Sequence, residues 1–342
     1  MKLDERKARI LDMVITHYVK TAEPVSSQVM VEKYGFELSS ATMRNEMAQM
    51  EALGLLYHPH TSSGRVPTDF GYRYFVNNIK TASLDASGYF RVISSIYLKC
   101  GREIERILKD IVELLASTTN SMSIVIAPSI RSYVLKHIEI LSVDEESTIL
   151  VLIATSGDVL KRQFNRSRIF NALDLQQAAN ILNAAFDGLE ISKIKTADLR
   201  ISESDRGLLP LINYLMSEVT ECVMDFEEKR ILTHVTSEIF KQPEFDDLRK
   251  IRSLLEILEQ KYYLMDLADR KISESEVLVK IGQENEITEM QNLSFVATHF
   301  KYRGFPTGAI GVIGSKRMDY PKVISAIKYV GQSLSDYLSS FD

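Results

Sequence analysis

Tryptophan is absent from this 342-residue chain, and cysteine occurs only twice. Cys100 and Cys222 lie far apart and follow no metal-ligand or redox spacing, so they read as ordinary reduced thiols in packed helices. No apolar run approaches the roughly 18 residues needed to cross a bilayer. The opening MKLDERKARI is too charged for a signal peptide, and a soluble cytoplasmic protein without membrane contact is expected. Catalytic constellations are missing as well. The six histidines, His17, His58, His60, His137, His234 and His299, form no HExxH pair, and none accompanies a GxSxG serine. GAIGVIG at 308–314 lacks both the GxGxxG spacing and the Lys-Ser/Thr of a phosphate loop, and reads as a tightly turned strand end. No catalytic, metal or cofactor-binding residues are therefore assigned. A basic excess is lacking too: the net charge is −5, which argues against non-specific coating of nucleic acid. Residues 1–80 carry ten Lys/Arg against nine Asp/Glu. Near-neutrality does not forbid DNA binding, since position relative to phosphates decides, but it predicts modest affinity per module and two modules acting together.

What is present begins at LSSATMRNEMAQMEALGLLYHPHTSSGRVPTDFGYRY, residues 38–74. Ser39 or Ser40 can cap a helix that Gly54 ends. Met43, Met47, Met50 and Leu53 fall on one stripe at helical period, which should face a core. The opposite side carries Ala41, Arg44, Asn45 and Ala48, small residues for close approach and two side chains that hydrogen-bond base edges or phosphates. Leu55, Leu56 and Tyr57 then read as a strand, and the return strand begins at Arg65. The loop between them offers His60, Thr61, Ser62, Ser63 and Arg65 as phosphate donors, with Gly64 permitting a tight reversal. Upstream, Leu3 to Val19 reads as one helix and SSQVMVEKYG as a short second helix, capped by Ser26 or Ser27 and stopped by Gly35. Gln28 near its start is either a phosphate contact or a solvated surface residue. Helix, short helix, turn, reading helix and hairpin is the helix-turn-helix order, with a two-stranded wing.

SSATMRNEMAQMEALG followed by PHTSSGRVPTDFGYRYFV resembles the signature of the HrcA family, with Ser63 and Val66 where that family's HTSAGRIPT has Ala and Ile. IGQENEITEMQNLSFVATHFKYRGFPTGAIGVIGSKRMDY resembles the family's carboxy-terminal motif, with Ser315 and Lys316 in place of Pro-Thr. With NRS at 165–167 the resemblance spans essentially the whole chain. It implies an α+β multidomain fold: an N-terminal winged helix-turn-helix, a GAF-like sheet domain and a mostly helical inserted dimerisation domain. It also implies a heat-inducible repressor of chaperone operons, of the groE and dnaK type, that binds the inverted repeat called CIRCE. In this family the chaperonin GroEL helps keep the repressor active. The DNA-contacting positions expected here are Ser39, Ser40, Ala41, Thr42, Arg44, Asn45, Ala48, His60, Thr61, Ser62, Ser63, Gly64 and Arg65.

Along the rest of the chain, 80–89 is small and polar and reads as a linker, and 90–119 as a long amphipathic helix. Strands are predicted at 121–128, 133–143, 147–155 and 159–166, with STILVLIAT buried on both faces, and helices dominate from 173 to about 270 apart from ILTHVT at 231–236. Strands return from 277 and a helix closes the chain. The expected domains are 1–80, 90–170, 171–275 and 276–342, the third interrupting one sheet-containing domain. In 203–270 the residues Leu208, Leu209, Leu211, Ile212, Leu215, Met216, Val219, Leu254, Leu255, Ile257, Leu258, Leu264 and Leu267 supply more apolar surface than an exposed helical region tolerates. Most must be buried internally, and a remaining face can seal a two-fold homodimer. Arg317 and Asp319 fit either a ligand or subunit contact or an internal salt bridge. The competing function is a ligand sensor whose GAF-like domain binds a metabolite. An enzyme acting through Asp319 or Glu284 has no nucleophile–base pair to support it.

Overall fold

Three helices at the amino terminus start at side chains that accept orphan backbone N–H groups, and glycine at positive φ follows two of them. Helix α1 (Glu5–Thr21) begins at Asp4, whose carboxylate accepts the Lys7 N–H at 2.8 Å. It buries Ile10, Leu11, Val14 and Ile15. Helix α2 (Ser27–Tyr34) is capped by Ser26 and ends at Gly35, held at φ 62°. Helix α3 (Ser40–Ala52) is capped by Ser39, and Gly54 follows it at φ 74°. Each such cap contributes about 1 kcal/mol. Strands β1 (Leu56–Tyr57) and β2 (Val66–Pro67) pair antiparallel, and α4 (Asp69–Asn77) starts at Thr68. The computed structural model describes residues 3–340 except 61–63, 80–85, 102, 128, 145, 156, 166–169, 197–198, 200, 229, 247, 261–262, 265–276 and 303–304. Residues 80–85 of the expected linker thus lie outside the described residues, and 86–89 already belong to a helix.

Leu53 departs from the expected stripe. Helix α3 ends at Ala52, so Leu53 leaves the helical surface and is 42% exposed, while Met43, Met47 and Met50 are fully buried. The single helix expected over 90–119 is two, α5 (Ala86–Cys100) and α6 (Ile104–Thr119). Gly101, at φ 56°, turns the chain between them.

The chain divides into two compact units, Met1–Ala127 with Ile231–Asp342, and Pro128–Arg230. These limits differ from boundaries at 170 and 275, and strand pairing explains why. Strand β3 (Met122–Ile126) belongs to a five-stranded antiparallel sheet in the order β7-β3-β10-β9-β8. Its neighbour β7 (Ile231–His234) pairs Ile126 with Ile231 and Ser123 with His234, so the chain re-enters this sheet at residue 231. Strands β8 (Leu278–Ile281), β9 (Leu293–Tyr302) and β10 (Phe305–Ser315) complete it. One face packs Ile124, Phe295, Ala297 and Ile313 against Phe245 and against Leu254 and Ile257 of α9 (Leu248–Glu259). The closing helix α10 (Tyr320–Ser339) packs on β9 and β10.

The second unit is an antiparallel meander of β4 (Leu135–Ser142), β5 (Ser147–Ala154) and β6 (Val159–Asn165), with α7 (Ala172–Phe186) and α8 (Leu209–Glu228). Leu150, Leu152 and Ala154 of β5 join Leu182, Phe186, Ile212 and Leu215 in its core. Ile149, Val151 and Ile153 on the other face of β5 are half-buried, so this strand is fully enclosed on one side only. Helices and separate antiparallel sheets make the fold α+β. Among the described residues no helix is long and apolar enough to cross a membrane.

Candidate nucleic-acid interface

The methionine face of α3 fixes which side of that helix is bare. With Met43, Met47 and Met50 buried, Ala41, Thr42, Arg44, Asn45 and Ala48 are all exposed. At the helix start, Ser39 Oγ accepts the Thr42 N–H at 3.1 Å and lies 2.9 Å from Thr42 Oγ1. Ser40 Oγ lies 3.0 Å from Ser27 Oγ and ties α3 to the start of α2. Gln28 is exposed, with its amide donating to Glu32 at 2.8 Å.

The charge on this helix is redistributed by its neighbours. Glu46 and Glu51 would make α3 net negative, but Glu46 lies 3.4 Å from Lys7 Nζ and 3.8 Å from Arg6. Glu51 is met by Arg65 at 3.1 Å and by His58 at 3.4 Å. Arg44 has no carboxylate partner among the described residues, so the exposed face presents its guanidinium without an adjacent uncompensated acid. That arrangement suits a polyanion.

The hairpin that follows is held by Arg65, expected as a phosphate donor and found largely buried. Arg65 is only 8% exposed. Its backbone exchanges two 2.9 Å hydrogen bonds with Val25, and its guanidinium reaches back to Glu51 on α3. The residue fastens the hairpin to both α2's approach and the exposed helix. Gly64 serves the same close contact, since a Cβ there would come within 2.5 Å of the Val25 carbonyl. His58 Nδ1 lies 3.2 Å from the Gly64 carbonyl. His60 is exposed, whereas Thr61, Ser62 and Ser63 lie outside the described residues. The structure therefore gathers Ser39, Ser40, Ala41, Thr42, Arg44, Asn45 and Ala48 on one helix, sets His60 on the adjoining hairpin, and removes Arg65 from the exposed set. Glu51 escaped the sequence reading because its partner is 14 positions away. Tyr57 on β1 is 47% exposed, on the face opposite buried Leu56.

A family model described as the HrcA protein C terminal domain matches residues 105–324. The chain belongs to the HrcA family. Heat-inducible transcription repressor HrcA of Acetivibrio thermocellus is 32% identical to it over 99% of this chain and 97% of the relative. The same-named protein of Geobacter sulfurreducens is 31% identical over 98% of each. A crystal structure described as that of a hypothetical protein covers 100% of both chains with a TM-score of 0.66 at 23% identity, so the fold is shared. In this HrcA-family chain Asp319 caps α10, accepting the Lys322 N–H at 3.2 Å. Arg317 makes an internal ion pair with Glu244 rather than a bridge within the Arg317–Asp319 turn.

Proposed function

We propose that this chain is a homodimeric transcription repressor that lays α3 in the major groove of an inverted-repeat operator. Residues 3–79 then act as a winged helix-turn-helix, the five-stranded sheet as a GAF-like domain, and the Pro128–Arg230 unit as the dimerisation insert. The observation that carries this reading is the two-sidedness of α3, sealed by three methionines behind and bare in front at Ala41, Thr42, Arg44, Asn45 and Ala48. Small residues beside Arg and Asn suit base-edge contact, and His60 with its hairpin can approach the flanking backbone. Arg65 positions the hairpin rather than touching phosphate. Action on chromosomal DNA makes the cytoplasm the site of function.

The relatives' name, heat-inducible transcription repressor, supports control of stress genes, and the family resemblance supports CIRCE as operator and GroEL as the partner that keeps the repressor active. A loss of about 1–2 kcal/mol in a protein of ordinary stability changes its active population several-fold, which makes folding state a workable heat sensor. Footprinting of the purified chain on an inverted repeat, with and without GroEL, tests the reading. Protection of both half-sites that strengthens with chaperonin is expected, and protection of neither would overturn it.

A second reading, a metabolite-sensing regulator, draws on a cleft of about 680 Å³ lined by Tyr18, Tyr57, Phe70, Tyr72, Glu244 and Arg317. Among the described residues the Tyr72 hydroxyl has no hydrogen-bond partner, and burial pushes its pKa well above the phenol range. Operator affinity that responds to a metabolite in the absence of chaperonin would favour this reading.

A further inference from the structure

Three stretches that the sequence keeps far apart meet against α1 and α4. Arg73 of α4 forks onto Glu284, with Nε 2.7 Å from Oε1 and Nη2 on Oε2, and Nη2 also donates to the Val279 carbonyl at 2.6 Å. Glu284 is itself held by the Ile281 N–H at 2.9 Å. Asp69, at the start of α4, takes Lys316 Nζ at 2.7 Å on one oxygen and the Gln283 N–H at 3.1 Å on the other. Arg317 forks onto Glu244 and donates through Nη1 to the Val19 carbonyl near the end of α1. Gly282 sits between them at φ 54°, where a Cβ would collide with the Asp69 carboxylate.

Single ion pairs at partly exposed positions contribute little stability. Their value here is geometric. Two planar guanidinium forks and a carboxylate bridging a lysine and a backbone amide define direction as well as distance. Contacts at Val19, Asp69 and Arg73 are spread over two helices, so together they restrict rotation of residues 3–79 against the five-stranded sheet, not only separation from it.

The geometry points to a latch: Asp69, Arg73, Glu244, Glu284 and Arg317 fix how α3 is presented, and so determine the one half-site spacing that a dimer of this chain accepts. The inference rests on the proposed reading of an inverted repeat by two copies. A latched pair of reading helices holds its second helix at high effective concentration over one spacing and at almost none over others. A loosened pair spreads that concentration over several spacings. The latch residues are positioning residues, since none lies on the exposed face of α3.

The test uses the full-length dimer and three DNAs: the inverted repeat, the same repeat with about half a helical turn inserted between half-sites, and one half-site alone. The unaltered chain should prefer the natural spacing by about 10–100-fold. Arg73→Ala combined with Arg317→Ala should bring the two spacings within about threefold, leave single half-site affinity within about twofold, and lower affinity for the natural repeat. Restoring the pair as the swap Arg73→Glu with Glu284→Arg should recover part of the preference. Spin labels on Ala52→Cys at the exposed end of α3 give a second readout, because both native cysteines are buried. The label-to-label distance distribution in the dimer should be narrow in the parent and broad in the double variant. Unchanged spacing preference together with an unchanged distribution would overturn the latch. Failure of the parent to bind any of the DNAs would overturn the operator reading instead, and the distance distribution would still decide the latch.

Discussion

Arginine is used in opposite ways on two sides of the amino-terminal helices. On α3, Arg44 stands exposed with no acid beside it among the described residues, because Glu46 and Glu51 are already engaged by Lys7, Arg6 and Arg65. On α4, Arg73 is matched to Glu284, and Arg317 reaches from beyond β10 to Glu244 and the end of α1. The residue type is the same and the outcome is decided by which carboxylates stand within reach. A side that leaves a guanidinium uncompensated is prepared for a polyanion from outside. A side that supplies both charges is closed on itself and holds geometry. Arg65 belongs with the second kind although it lies in the hairpin, among residues of the first.

The largest expected effect breaks the contrast from behind. Met47→Ala empties a fully buried site under α3, and a loss of about 2–5 kcal/mol in urea unfolding is expected, with DNA affinity falling in parallel as the helix loses its seat. Arg44→Ala should do the reverse: unfolding unchanged, and operator affinity weaker by about 1–3 kcal/mol with relaxed preference at one base step. An unchanged affinity would take Arg44 out of the interface. Arg65→Ala separates the two classes. As a hairpin pin it should cost about 1–2 kcal/mol of stability, show coupling to Glu51→Gln in a double-mutant cycle, and leave the salt dependence of DNA binding as it was. A salt slope reduced by about one, with stability retained, would return Arg65 to the phosphate-contacting set.

Local signals were the legible ones. Ser26, Ser39, Gly35 and Gly54 mark helix ends through contacts within a few residues, and the methionine stripe follows from helical period alone; all are where the sequence places them, Leu53 excepted. Strand positions from 121 to 166 were legible for the same reason. What the sequence hides is long-range pairing. The four residues of β7 carry a β-branched pattern that says strand, but nothing local says that they join β3 rather than the meander between them, so the compact-unit limits at 127 and 230 were not visible. Arg65 likewise carries no mark of Glu51. The exposed face of α3 was legible because amphipathicity specifies both faces at once, whereas the hairpin's donors were judged by residue type without their partners.

The smallest effect concerns the joint between α1 and α2. His17 is buried, with Nδ1 2.8 Å from the Tyr34 hydroxyl and the two rings edge to face at 5.7 Å. Desolvation lowers its pKa below the ordinary 6.5, helped by the positive charge of Lys33 and opposed by Glu23. A depressed histidine is protonated more readily in the unfolded chain, so its contribution to stability is whole above about pH 6.5 and declines as pH falls toward the folded-state value. Below that value both states are protonated and the decline ends. Melting of the full chain between pH 7.5 and 5 should therefore show a modest downward slope that His17→Gln reduces, while the Arg44→Ala variant keeps it. A slope of equal size in His17→Gln would assign the acid sensitivity to other groups and leave the α1–α2 joint indifferent to pH, sharpening the contrast between a face built to meet charge and an interior built to exclude it.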